Sequence, residues 1–210
     1  MNIFKINAKN TQKNLHNKKI LFYGPGPTLD KPELNINTYD YIFITNNMIT
    51  IFFDKYDISD NQKIIMLCNQ LYCLNYYNNL IKYENKIDIF LFINILSVNK
   101  IKNVLNNQKI ALITNMNYIK KTPLGLTRIL NFLENIDFKK LYITGVTFYR
   151  ETNIDKCYED NYIVNEGKKF NIFKRDKHVH DMPANINYTK QICSKNKNIT
   201  YCDEMKKIFI

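Results

Sequence analysis

The chain has 210 residues, 45% hydrophobic and 23% charged, with 30 Lys and Arg against 19 Asp and Glu for a net charge of +11. That length suits one domain with a sizeable core, and the hydrophobic and charged fractions are ordinary globular values. No apolar run reaches the roughly 18 residues of a membrane span, the longest, Ile89 to Val98, being interrupted by Asn94, and the N-terminus lacks the apolar region of a signal peptide, so the expectation is a soluble, cytoplasmic protein.

Residues 1–17 are polar and aperiodic and read as an arm or disordered lead-in, with 18–210 as one domain. Lys19 to Asp30, KILFYGPGPTLD, reads as a buried strand over Lys19 to Tyr23, a Gly/Pro turn, and a helix start with Thr28 as candidate N-cap. A strand, a glycine turn and a helix in that order build an anion site in open α/β sheets. Gly24 and Gly26 are the positions where backbone comes close to a phosphate. The same pattern is equally a rigid turn without a ligand.

Further strands follow at Asp40 to Thr45, Lys63 to Leu67, Asp88 to Phe92, Lys109 to Ile113, Leu141 to Thr144 and Asn198 to Tyr201. Helical stretches fall at Leu71 to Tyr83, near Ser97 to Asn107, at Leu126 to Leu133 and at Met182 to Cys193. Tyr149 to Lys177 is long, polar and aperiodic, the character of a lid or an insertion. Strands alternating with helices predict an α/β, Rossmann-like fold, a mostly parallel sheet with helices on both faces. Ligands of such sheets bind outside the carboxyl ends of the strands, which here are Gly24, Asn46, Asn69 and Gly145.

The five cysteines form no C-x-x-C pair, which suits free thiols in a reducing compartment and no zinc site. There is no D-x-D, so the usual carboxylate clamp for a metal on a sugar diphosphate is missing. The basic charge would attract phosphates, nucleic acid or an anionic membrane. It is scattered apart from Lys168 to Lys177, and no basic helix or aromatic-basic motif favours specific nucleic acid binding.

Five segments occur in order: ILFYGPGPTL, FITNN, LCNQLYCLNYYNNL, PLG followed by LYITGVTFYR, and HDMPANINYTKQI. Their arrangement resembles the bacterial sialyltransferases of glycosyltransferase family 42 and, more loosely, those of family 29. The resemblance implies a single-domain sialyltransferase fold with a small lid over about 149–177. It also implies an inverting, metal-independent transfer of sialic acid, or a related nonulosonic sugar, from a CMP-sugar to a glycan or glycolipid hydroxyl. No cofactor is implied beyond that donor, and peripheral contact with an anionic membrane is compatible with it. Gly24, Gly26, Asn46 and Asn69 match the nucleotide-binding positions, and Thr122 and Gly125 lie in the segment that approaches the donor's phosphate and carboxylate. Tyr149 matches one tyrosine steadying the leaving phosphate, Tyr158 or Tyr162 the second, and His180 the general base.

Pro25, Pro123 and Leu124 depart from the family pattern, replacing an asparagine and small hydroxyl residues. A nucleoside monophosphate leaves with one phosphate, so tyrosine hydroxyls and backbone N–H groups can stabilise it without a metal. His178 and His180 share one face of an extended chain, and only the resemblance selects His180. An imidazole, which in water titrates at a pH of about 6.5, suits proton abstraction near neutrality. Asp181 is the expected cap of the last long helix, with Pro183 in its first turn. Two other readings stand beside the enzyme: a nucleotide-binding module of the same fold without turnover, and a Rossmann methyltransferase.

Overall fold

The computed structural model describes residues 3–26, 34–45, 48–68, 78, 80–93, 95–113, 119, 123–146, 148 and 181–210. Seven strands form one sheet: β1 (Lys19–Tyr23), β2 (Tyr41–Thr45), β3 (Lys63–Cys68), β4 (Ile89–Phe92), β5 (Ile110–Leu112), β6 (Lys140–Thr144) and β7 (Ile199–Tyr201). The spatial order is β5-β4-β3-β2-β1-β6-β7, and every pairing is parallel. The fold is therefore the α/β, Rossmann-like one expected. Its six helices with residue ranges in the described chain are α1 (Ile3–Asn14), α2 (Ile49–Lys55), α3 (Ile95–Ile101), α4 (Gly125–Leu133), α5 (Met182–Lys195) and α6 (Asp203–Phe209).

Parallel strands need both faces covered, and the side-chain alternation shows how. Ile20 and Phe22 of β1, Phe43 of β2, Ile65 and Leu67 of β3, and Leu141 and Ile143 of β6 pack with residues of α1, α4, α5 and α6. Leu21 and Tyr23, Ile42 and Ile44, Ile64 and Met66, and Phe90 and Phe92 pack on the opposite face with α2 and α3. There Tyr23 meets Phe52 and Tyr56 edge-on, and Phe52 and Tyr56 lie tilted to each other, with centroids 5.2–5.7 Å apart. Burying a Phe or Leu side chain contributes about 1.5–3 kcal/mol, so these layers supply the main folding drive.

The N-terminal edge of the sheet is tied by side chains. Lys19 N–H donates to Asp40 Oδ2 at 2.7 Å, and Ile64 N–H donates to Asp88 Oδ2 at 2.8 Å. Asp88 also pairs with Lys63 at 3.1 Å.

The N-terminal segment departs from the expected arm, because Ile3–Asn14 is helix α1. Phe4, Ala8, Thr11 and Leu15 are its inward positions, at helical spacing, with Phe4 half-buried and the rest buried. The helix lies over edge strand β5, and Asn7 Nδ2 donates to the Ile110 carbonyl at 2.7 Å. Gln12 Nε2 donates to the Phe132 carbonyl in the last turn of α4 at 2.8 Å. Covering an edge strand hides backbone groups that would otherwise pair with another chain. The helix read at Leu71 to Tyr83 and the lid read at 149–177 lie largely or wholly outside the described residues.

Gly24 is fixed by sterics. A Cβ there would sit 2.4 Å from the Gly145 carbonyl oxygen, backbone against backbone. Gly24→Ala is expected to destabilise the protein by about 1–3 kcal/mol, in the range of overpacked sites. Urea unfolding followed by circular dichroism reads this directly, and an unchanged midpoint would show that the turn yields.

Candidate functional site

All seven strands point the same way, so the helix that follows each strand must run back. The N-termini of α4 and α5 therefore lie at the carboxyl edge of the sheet. The chain moves outward from β1 to β5 and then returns to β6 on the other side of β1. The order reverses between β1 and β6, and the crevice at such a reversal is where open α/β sheets bind ligands.

At that crevice the β1 and β6 turns interlock. Gly24 N–H donates to the Thr144 carbonyl at 2.9 Å, and Gly26 N–H donates to the Gly145 carbonyl at 2.7 Å. Both amides are thus engaged by the β6 turn, and the close approach that Gly24 permits is to Gly145. Gly145 itself takes φ 70°, a left-handed conformation suited to glycine. Phe148 is buried just beyond it with φ 50° and packs 6.2 Å from Phe209.

The second component is the start of α4. Leu124 occupies its N-cap position and supplies no side-chain acceptor. The Leu124 N–H is itself bonded by Asn185 in the first turn of α5. Asn185 Oδ1 accepts from Leu124 N–H and from Thr127 Oγ1, each at 2.8 Å. Its Nδ2 donates to the Asp181 carbonyl at 2.7 Å. Asp181 caps α5 as expected, accepting from Ala184 N–H at 3.1 Å, and Pro183 stands in the first turn.

Arg128 completes the charge at this end. Its side chain leans back along α4, as helical side chains do, and Nε donates to the Pro123 carbonyl at 3.2 Å. The residue is 4% exposed, and burial lowers the guanidinium pKa from its ordinary value to about 10. A helix N-terminus is already positive, so a cation there is unfavourable for the helix and favourable for an anion.

Of the residues singled out from sequence, Gly24, Gly26 and Gly125 are placed at the carboxyl edge. Asn46, Asn69, Thr122, Tyr149, Tyr158, Tyr162 and His180 lie outside the described residues. Thr45, Cys68 and Asp181, which adjoin Asn46, Asn69 and His180 in the chain, are all described. Thr45 and Cys68 end β2 and β3, and Asp181 opens α5. Arg128 and Asn185 were not singled out. The signals for them are an arginine among the apolar residues of one helix and an asparagine inside another, where its propensity is low.

A separate groove of about 780 Å³ runs along the flank of β6 and β7, lined among others by Tyr39, Tyr142, Thr200, Lys140 and Lys206. It follows the sheet face rather than the reversal between β1 and β6. Among the described residues no His, Cys, Asp and Glu cluster is placed to hold a metal. Nor, among the described residues, is any helix long and apolar enough to cross a membrane. No protein-family model matches the chain, and neither the search of curated proteins nor that of solved structures finds a match.

Cys68 sits at the edge of the candidate site, yet burial pushes its thiol pKa well up, and burial pushes the Cys193 thiol up to about 12. A thiol held protonated is a poor nucleophile. Brief alkylation with iodoacetamide at pH 8 should leave Cys68, Cys193 and Cys202, all buried, unmodified until urea is added. Rapid labelling of Cys68 in the native state would reopen it as a nucleophile.

Proposed function

We propose that the chain is a sialyltransferase-like, inverting glycosyltransferase that takes sialic acid or a related nonulosonic sugar from a CMP-sugar and places it on a glycan hydroxyl. The observation that carries the reading is Arg128, a buried guanidinium folded back over the start of α4 beside Pro123, at the carboxyl edge of the sheet. The PLG segment begins α4, and it is the segment whose family counterpart approaches the donor's phosphate and carboxylate. Pro123 and Leu124 lack the hydroxyls of that pattern, and Arg128 supplies positive charge in their place.

In the transfer, the acceptor hydroxyl gives its proton to a base as its oxygen attacks the anomeric carbon. The bond from that carbon to the phosphate oxygen breaks, and CMP departs with the electron pair. Positive charge near the leaving phosphate stabilises this step more than the ground state, which is what accelerates it. His180, through its resemblance to the family's base, is the proposed proton acceptor.

A second reading is favoured by the engaged amides. The N–H groups of Gly24 and Gly26 are bonded to the β6 turn, and Leu124 N–H to Asn185. These donors are then not offered to the charge that develops on a leaving phosphate, a stabilisation that turnover needs and that binding through other groups does not. Hydrolysis of CMP-sialic acid separates the two readings, since a binder leaves the donor intact.

CMP without metal should raise the melting temperature, with about 2.7 kcal/mol of stabilisation at a hundredfold excess over the dissociation constant. Arg128→Met should stay folded and bind CMP about ten- to a hundredfold more weakly, the scale of a lost charged hydrogen bond. His180→Ala should keep CMP binding and lose about 10²–10⁴-fold in transfer rate. Stabilisation by UDP with magnesium and none by CMP would refute the reading.

A further inference from the structure

The cap of α4 is built in an unusual way. A helix start is ordinarily satisfied by its own N-cap side chain, a Ser, Thr, Asp or Asn one residue ahead of the first turn. Here that position is Leu124, which carries no such side chain, and its own N–H is bonded by a side chain 61 residues away in sequence. A local Ser or Asp at 124 would accept from the N–H of Leu126 or Thr127, so the Leu124 N–H needs a partner from elsewhere. What a local cap cannot do is define where α4 begins relative to another helix.

Asn185 does so with its whole side chain. Oδ1 accepts from Leu124 N–H and from the Thr127 hydroxyl, and two donors are what an amide oxygen can accommodate. Nδ2 reaches back to the Asp181 carbonyl at the entry of α5. Asn185, Thr127 and Thr189 are 0% exposed, and Thr189 Oγ1 bonds the Asn185 carbonyl at 2.8 Å. A buried polar network of this kind is rigid, because loss of any member leaves a desolvated group without its bond. Asn185 also occupies a helical position where asparagine is a poor helix former. The cost falls at one spot, and the gain is a fixed relation between two helix starts.

We propose that Asn185 is a positioning residue, holding the Pro123–Gly125 turn and the entry of α5 in one fixed relation at the β1/β6 crevice. Its effect on turnover rests on the transfer reading above, in which Arg128 of α4 meets the phosphate and His180, which precedes α5 in the chain, takes the acceptor proton. A shift of either start moves the two groups apart without removing either, and misplacement of this order costs rate more than affinity.

Three variants of the full chain test the inference. Thr127→Val removes one donor and keeps the shape, Thr127→Ser keeps the hydroxyl, and Asn185→Asp replaces Nδ2 by an oxygen facing the Asp181 carbonyl. Thr127→Val and Asn185→Asp should fold and bind CMP much as the wild type does, while kcat for CMP-sialic acid turnover falls by about ten- to a hundredfold with KM little changed. Thr127→Ser should restore kcat. A merely structural bond would lower the melting temperature and leave kcat per folded molecule unchanged.

Folded Thr127→Val and Asn185→Asp variants with wild-type kcat would overturn the proposal. Hydrogen exchange tests the clamp without any activity. In Asn185→Asp the amides of 124–127 and of Met182, Ala184 and Asn185 should exchange faster together. If the wild type neither binds CMP nor consumes the donor, the transfer reading fails, and exchange alone decides: joint acceleration supports the clamp, and acceleration confined to α5, or none, overturns it.

Discussion

Seven strands running one way constrain everything else in the molecule. A parallel sheet cannot be built from hairpins, so every strand must be followed by a return path over one face. Those returns place the start of each helix that follows a strand at the same carboxyl edge, and they divide the core into two layers. Polar ties take the opposite edge, where Asp40 and Asp88 accept from the neighbouring strand's first amides. Among the described residues the carboxyl edge carries glycines and helix N-termini.

At that edge several local choices run against stability. Gly24 gives up a side chain so that the β1 turn can touch Gly145, and Gly145 and Phe148 take positive φ. Arg128 is buried as a cation at the positive end of a helix. Asn185 stands within a helix to serve another one. Conflicts between local preference and the fold tend to gather where a protein functions. Here they gather at the carboxyl edge of the sheet, the edge where such folds bind ligands.

The strands were largely legible because each is a short apolar run between polar residues. Lys19–Tyr23 has the read boundaries, β2 begins one residue later at Tyr41, and β3 runs one further to Cys68. The faces of α4 and the cap of α5 were legible for a similar reason, one from apolar spacing and one from Asp181 with Pro183. Helix α1 was not, since two of its inward positions are Ala8 and Thr11 and carry little apolar signal. Helices α2 and α6, of seven residues each, are too short for a period to stand out. Gly24 and Gly145 fall at the carboxyl edge, as read from the strand ends. The link from Leu124 to Asn185 could not be read, because it joins residues 61 apart through a pairing that only the packed helices create.

The central claim is that an anionic nucleotide binds where the strand order reverses. Amide chemical shifts of the full chain, recorded as CMP is added without metal, address that place directly. Binding at the crevice predicts shifts concentrated at Gly24, Gly26, Gly125 and Gly145, with little change at Tyr142 and Thr200 in the flank groove. Shifts confined to Tyr142, Thr200 and their neighbours, or none at a saturating concentration, would contradict it.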